Sequence, residues 1–354
     1  MAKLQTYTEA MARLAIDTPP SDDSGFLGCD LDPGEAKLVL IPVPWDVTTS
    51  YRQGTADGPA AMLRASHQID LEDASFGQIY RGGIAMLPEP SEIRVANTKA
   101  RPVVDAIIGT LSEGGVAPAA DVEWVNKACA RVNKWVQETS STHLAANRLV
   151  GVVGGDHACP LGLIEALDAR EKDGFGILHF DAHHDLRDAY EGFEFSHASI
   201  HFNSMQRAKR VTKLVQVGIR DFSSDEKNFM RELGPRGAVF YQRDLARRRA
   251  EGETWAKTVQ TILAELPQRV YVSFDIDAFD PALCPATGTP VPGGLGFDET
   301  VFLLEQFAAS GRKIIGFDLC EVAPSTDGSE WDANVGARVL HKLCGAMLRT
   351  QGLV

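Results

Sequence analysis

Short runs of β-branched and other apolar residues recur along the chain from Ala36 onward, and longer stretches with helical spacing of their apolar positions lie between them. The runs predict strands at Lys37–Pro42, Leu149–Val153, Gly176–Phe180, Leu214–Val217, Ala238–Tyr241, Val270–Phe274 and Lys313–Phe317. Among the intervening stretches, Asp121–Ser140, Glu253–Leu266 and Glu299–Ala309 carry good helix formers at amphipathic spacing. Alternation of this kind predicts an α/β fold with a mainly parallel sheet covered by helices on both faces. No repeat, low-complexity segment or linker interrupts the pattern, so residues 36–354 are expected to form one domain. Residues 1–35 end in the turn-rich Asp22-Asp23-Ser24-Gly25 and Asp32-Pro33-Gly34. They are expected to be an arm, with room for one helix, that packs at a subunit interface.

Charge narrows the choice of partner. Lys and Arg total 35 against 48 Asp and Glu, a formal charge of −13, whereas a nucleic-acid partner needs clustered cations. The densest basic run, Arg243 with Arg247-Arg248-Arg249, sits among acidic neighbours and reads as a solvated helix. No apolar run approaches the ~20 residues of a membrane span, and the first residues alternate too finely for a secretory signal. Neither a nucleic acid nor a membrane is therefore expected as partner. The scattered cysteines, with no C-x-x-C pair, point to a reducing cytoplasm.

The strand ends matter most, because ligands in open α/β sheets gather at the carboxyl ends of strands. Leu149–Val153 runs into Gly154-Gly155-Asp156-His157, and Gly176–Phe180 into Asp181-Ala182-His183-His184-Asp185. Val270–Phe274 runs into Asp275-Ile276-Asp277, and Lys313–Phe317 into Asp318 and Glu321. In an extended segment Asp181, His183 and Asp185 share one side, and Asp275 and Asp277 repeat that spacing. With His157 they offer carboxylates and imidazoles for two divalent ions, a donor set that suits Mn, Ni, Co or Zn better than Mg or Ca. Dications would also relieve the repulsion among carboxylates crowded at one rim. Each motif alone has a bland reading: a lone D-x-H-x-D is commonly surface composition, and Gly154-Gly155 can be a tight turn capped by Asp156. Their coincidence at the strand ends of one sheet points to a metal centre.

GGDH at 154–157, DAHHD at 181–185, SFDIDAFDP at 273–281, PATGTPVPGG at 285–294 and Glu321 in DLCEVAPS resemble the motifs of the ureohydrolases, the arginase and agmatinase superfamily. The likeness spans roughly Leu38 to Leu348. The resemblance implies a three-layer α/β/α sandwich around a mainly parallel sheet of about eight strands, assembled as a homo-oligomer, a trimer or hexamer. It implies two divalent transition-metal ions per chain, Ni2+ or Mn2+. His157, Asp181, Asp185 and Asp275 would hold one, and Asp181, His183, Asp275 and Asp277 the other, with Asp181 and Asp275 bridging. The implied reaction is attack of a metal-bound hydroxide on a guanidinium carbon, releasing urea or a urea-like product and an amine or ammonia. Asp185 would take the hydroxide proton and Asp277 would hydrogen-bond the intermediate. Glu321 would clamp the guanidinium, and His197 stands where the family carries its proton-shuttling histidine. His179, His184, His201 and Asp318 read as packing residues or supports for the ligands, Asp280 as a turn residue, and Cys159, Cys284 and Cys320 as small packing residues.

Arginases place an asparagine two residues after the third D-x-H-x-D ligand to hold the amino-acid carboxylate. Arg187 stands there, so arginine is not the expected substrate. His184 and Ala198 also depart from the usual agmatinase pattern, and Val43–Tyr51 carries a bulky Trp45 that reads as narrowing the mouth. These features are more like the agmatinase-like branch that holds nickel-dependent guanidine hydrolases. The expected function is thus guanidine hydrolysis, on a small cationic guanidino substrate whose far end is uncharged or cationic. Agmatine, another guanidino-amine, substituted guanidines and biguanides such as metformin are the alternatives within the class. A non-catalytic subunit partnering a paralogue in a hetero-oligomer is the alternative of another class, although such a subunit should have lost ligands. A histone-deacetylase-like enzyme would use one zinc and a catalytic tyrosine, which the second Asp pair and Glu321 argue against.

Overall fold

The computed structural model describes residues 3–14 and 20–354. Its strands are β1 (Leu38–Val43), β2 (Ile84–Met86), β3 (Leu149–Gly154), β4 (Phe175–Phe180), β5 (Val211–Val217), β6 (Gly237–Phe240), β7 (Arg269–Phe274) and β8 (Lys313–Leu319). They form one eight-stranded sheet in the order β2-β1-β3-β8-β7-β4-β5-β6, and every pairing is parallel. The expected strands all appear. β2 is additional, a three-residue edge strand too short to show any periodicity.

A parallel sheet covered on both sides reads as nearly continuous apolar sequence, and β1 is buried at all of its six positions. Leu38, Leu40, Leu178, Phe180, Val272 and Phe274 face a layer that includes the helices Phe297–Ala309 and Trp331–Thr350. Ile41, Val43, Val150, Val152 and Ile177 face the helices Ser91–Ser112, Ala119–Ala145 and Leu161–Arg170. The result is a three-layer α/β/α sandwich. Each buried Leu, Val or Phe side chain contributes roughly 1.5–3 kcal/mol, so the two cores hold the strand ends rigidly beneath whatever sits on the rim.

Near the start of the chain, the helix Tyr7–Leu14 buries Ala10 in a small cluster with Leu31, Val39 and Ala85. Tyr7 Oη donates to the Arg81 carbonyl at 2.7 Å, and Arg13 pairs with buried Asp30. Residues 1–2 and 15–19 of the expected arm lie outside the described residues. The basic run forms the helix Gln242–Ala250, where Arg247 pairs with Asp244 and Glu251 and Arg249 with Glu299. All six cysteines are buried and free. Among the described residues no helix is long and apolar enough to cross a membrane.

The strand order explains why four separated motifs meet. β3, β8, β7 and β4 are consecutive neighbours in the sheet, and these are the strands that run into His157, Glu321, the Asp275 motif and the Asp181 motif.

Candidate metal centre

Beyond the sheet the backbone leaves the extended form, and two local geometries differ from the sequence expectation. Asp185 has φ +55°, so the DAHHD segment turns at its last residue rather than continuing as a strand. Asp275 and Asp277 do not alternate along an extended segment either. Asp275 caps the one-turn 3-10 helix Ile276–Ala278, its Oδ1 accepting the Asp277 N–H at 2.8 Å. The physical reason is shared: past Phe180 and Phe274 the continuous ladders give way to isolated bridges, His183 with Asp221 and Asp275 with Cys320, and local carboxylate-to-amide bonds take over. Glu321 also sits in the left-handed region, at φ +63°. Backbone of this kind is costly for non-glycine residues and collects at functional sites. Gly155 is required by close approach, because a Cβ there would lie 1.9 Å from the Trp45 carbonyl oxygen.

Two groups of donor atoms share Asp181. His157 Nδ1 lies 3.0 Å from Asp185 Oδ2, 3.2 Å from Asp181 Oδ2 and 3.4 Å from Asp275 Oδ2. His183 Nδ1 lies 3.1 Å from Asp277 Oδ2 and 3.4 Å from Asp181 Oδ1. Asp181, His183 and Asp277 form one cluster with ligand-grade spacing, and Asp181, Asp185 and His157, with His179, form another. The four aspartates are all buried, at no more than 5% exposure. No Lys or Arg side chain is paired with any of them among the described residues. Arg220 approaches from below, but its guanidinium is spent on the carbonyls of Asp277, Phe279 and Val291.

Electrostatics shows how unsatisfied this arrangement is with protein atoms alone. Burial, followed by the charge of Asp181, raises the Asp185 carboxyl to about 7. Burial, followed by Asp277 and Asp181, pushes Asp275 well above the usual carboxylate range. Burial opposes charge on His157, yet hydrogen bonds to Asp181, Asp185 and Asp318 outweigh it and raise that imidazole well above its ordinary value. Likewise Asp277 and Asp181 overcome burial at His183 and raise it. Buried carboxylates without a fixed cation are costly, and mixed imidazole and carboxylate donors suit divalent transition metals. The residues present therefore fit two such ions.

The donor clusters form the floor of a cavity of about 270 Å³, whose walls include Ser50, Arg187, Tyr190, His197, Phe222 and Glu321. Glu321 Oε1 accepts the backbone N–H of His157 at 2.9 Å, while its Oε2 faces the spot where a Cβ at Gly288 would come within 3.3 Å. Burial, then the charge of Asp156, raises Glu321 well above the usual range. His197 stands edge-on to Tyr190, with ring centroids 5.9 Å apart, and its Nδ1 has no hydrogen-bond partner. Burial and the adjacent His183 hold it below the ordinary imidazole value. Arg187 stacks 4.6 Å over the Tyr190 ring and pairs with Glu226 at 3.6 Å. Trp45 is not at the mouth: it is 1% exposed and packs in the core beside Val43 and Val47. It lies two residues past β1, and its ring joins the helix layer there.

Several supporting residues lay outside the sequence-based site. Asp156 Oδ2 accepts from Thr48 Oγ1 at 2.8 Å, and Thr48 Oγ1 accepts the His197 backbone N–H at 3.1 Å. Burial raises Asp156 to about 7. Ser273 Oγ meets His157 Nε2 at 2.9 Å, and Thr289 Oγ1 donates to Asp277 Oδ2 at 3.3 Å. His179, read from sequence as packing or support, places Nε2 2.8 Å from Asp181 Oδ2. A polar residue interrupting an otherwise apolar strand was the available signal for Ser273 and His179. Thr48 and Asp156 carried none beyond their place in a motif.

Comparison with known proteins agrees with this geometry. The arginase family profile matches residues 36–345. The chain is 32% identical to the N(1)-aminopropylagmatine ureohydrolase of Thermus thermophilus over 292 residues, 82% of this chain and 84% of that protein. It is 27% identical to the agmatinase of Pyrococcus horikoshii, covering 90% of this chain and 95% of that one. Among solved structures, proclavaminate amidino hydrolase of Streptomyces clavuligerus shares the fold at a TM-score of 0.72 and 24% identity, over 94% of this chain and 99% of that chain. That family depends on a binuclear metal centre, and its members hydrolyse amidino C–N bonds. The chain is a ureohydrolase of the arginase family, a hydrolase acting on amidino C–N bonds.

Proposed function

We propose that the protein hydrolyses guanidine to urea and ammonia, with Ni2+ or Mn2+ as its two ions. His157, Asp181, Asp185 and Asp275 would hold one ion, and Asp181, His183, Asp275 and Asp277 the other. When bound, such ions supply Lewis acidity and lower the pKa of water. The side chains do the rest. Glu321 orients the planar guanidinium through its free Oε2, a charge-assisted contact suited to an N–H fork. Asp185 accepts the proton of the attacking water, and Asp277 hydrogen-bonds the tetrahedral species. His197, on the cavity wall, would pass a proton to the departing ammonia. The retention of all six donor residues around one cavity floor speaks for catalysis by this chain rather than for a silent subunit.

Arg187 is the observation that carries the choice of guanidine. Among the described residues it is the one Arg or Lys side chain on the cavity wall, where it stacks on Tyr190 and pairs with Glu226. Arg187 and its partner Glu226 occupy the wall where a substrate tail would lie, whereas guanidine has no tail; Asp221 and Glu226 on that wall are the carboxylates an ammonium tail would meet under the second reading. Agmatine or a longer guanidino-amine is the second reading, favoured by the likeness to aminopropylagmatine ureohydrolases. The first test is elemental analysis of Ni- or Mn-loaded protein together with urea release from guanidine. Two ions per chain and activity abolished by a chelator are expected. Fewer than one ion per folded chain would overturn the metal assignment.

A further inference from the structure

Beneath the metal centre, a chain of hydrogen-bonded groups runs away from Asp181 and ends at half-buried Tyr241, beside the cavity-wall residue Phe222. His179 Nε2 meets Asp181 Oδ2 at 2.8 Å, and Gln216 Nε2 meets His179 Nδ1 at 2.8 Å. Gln216 Oε1 meets His184 Nδ1 at 2.6 Å, and Tyr241 Oη meets His184 Nε2 at 3.4 Å. His179, His184 and Gln216 are fully buried. The Phe222 ring, on the cavity wall, packs against both His184 and Tyr241, with centroids 4.9 and 5.2 Å away.

One fixed acceptor sets the direction of the whole chain. Gln216 also reaches the backbone carbonyl of His184 at 2.8 Å, and a carbonyl can only accept, so the atom facing it is the amide nitrogen. That nitrogen's second hydrogen then points at His179 Nδ1, which must be bare. The His179 proton is consequently on Nε2 and is donated to Asp181. On the other side the amide oxygen accepts from His184 Nδ1, leaving His184 Nε2 bare for the Tyr241 hydroxyl. Every donor and acceptor in the chain is used once, in one sense. The register supports this, because His179 of β4 and Gln216 of β5 are direct partners across the sheet.

We propose that His179, Gln216, His184 and Tyr241 form a directional positioning relay, which presents a single N–H to Asp181 and so fixes the orientation of that carboxylate toward the metal ions. None of the four is a catalytic residue, since none touches the substrate. Outer partners of this kind typically govern metal affinity by 10–100-fold. The relay rests on the metal site proposed above. Its readout is ion affinity, so its failure and failure of the guanidine reading are distinguishable.

The test measures Ni2+ affinity of the full chain by competition with a chromophoric chelator, with circular dichroism as a check on folding. His179→Gln keeps an N–H facing Asp181 and should retain affinity within about threefold, whereas His179→Leu should lose roughly 10–100-fold. Gln216→Leu, which frees His179 to change tautomer, should fall with His179→Leu. Equal affinity in the two His179 variants, whether both tight or both weak, would overturn the relay. So would a folded Gln216→Leu protein that binds like wild type. If Gln216→Leu does not fold, the His179 pair decides alone.

Discussion

The Glu321 carboxylate and the His157 backbone form one unit, since Oε1 accepts the His157 N–H at 2.9 Å while Oε2, on the Gly288 side, is the oxygen proposed to meet the guanidinium. The two oxygens have separate tasks, and substitution can separate them. Glu321→Gln keeps an oxygen acceptor for His157 but removes the charge that faces a guanidinium. It should leave metal content intact and lower kcat/KM by about 2–4 kcal/mol of transition-state stabilisation. Glu321→Ala should do the same and also loosen the ions. Unchanged kcat/KM in Glu321→Gln at full metal content would remove Glu321 from the substrate site.

Asp181 and Asp275 are the aspartates assigned to both ions, so Asp181→Asn and Asp275→Asn should be the most damaging single changes. The sheet core does not depend on them, and the variants should remain folded by circular dichroism. Steady-state rates should fall far more than tenfold. Either variant retaining above a tenth of wild-type rate, less than about 1.4 kcal/mol of barrier, would contradict bridging.

Thr48 links Asp156 to the backbone of His197. Removing the hydroxyl with Thr48→Val should let the His197 loop shift, lowering kcat on the order of 10- to 100-fold with KM and metal content nearly unchanged. Thr48→Ser, which keeps the hydroxyl, should stay within about threefold of wild type. The pair is compared in one steady-state experiment, and equal kcat values for Val and Ser would dismiss the link.

Metal removal should make stability pH-dependent above neutrality. Asp275 and Glu321 are raised by burial and neighbouring charge, and His157 and His183 are raised by the carboxylates around them. Above pH 7 the unfolded chain has already released these protons while the folded chain retains them, so stability falls as pH rises. The buried histidines with lowered values, such as His197 and His201, do not offset this. Their unfolded-state titration is largely complete by about pH 7.5, so they add little across the upper part of this range. Bound ions would replace the protons. The gap in Tm between loaded and metal-free protein should therefore widen from pH 7 to 8.5, and a constant gap would contradict the proton accounting.

Much of this was legible in the chain. Strands buried on both faces announce themselves as apolar runs, and the residues following β3, β4, β7 and β8 were readable as a candidate donor set because carboxylates and imidazoles rarely follow four apolar runs by chance. β2 escaped because three residues cannot show a period. The local turns at Asp185 and Asp277 escaped because strand spacing says nothing about the chain once the ladder ends. Trp45 was misplaced since bulk and proximity to a motif do not fix which way a side chain points. His179 and Gln216 look like defects in apolar strands. Only the pairing of β4 with β5 shows that they meet.

The most direct test of the substrate assignment is kcat/KM for urea release by Ni- or Mn-loaded protein, measured side by side for guanidine, agmatine, arginine, 4-guanidinobutyrate and alkylbiguanides. Guanidine is expected to lead each of the others by at least about tenfold, some 1.4 kcal/mol in transition-state binding. Agmatine exceeding guanidine would transfer the assignment to a guanidino-amine. Arginine or 4-guanidinobutyrate turned over ten times more efficiently than the rest would show that Arg187 receives a carboxylate, and would contradict the assignment outright.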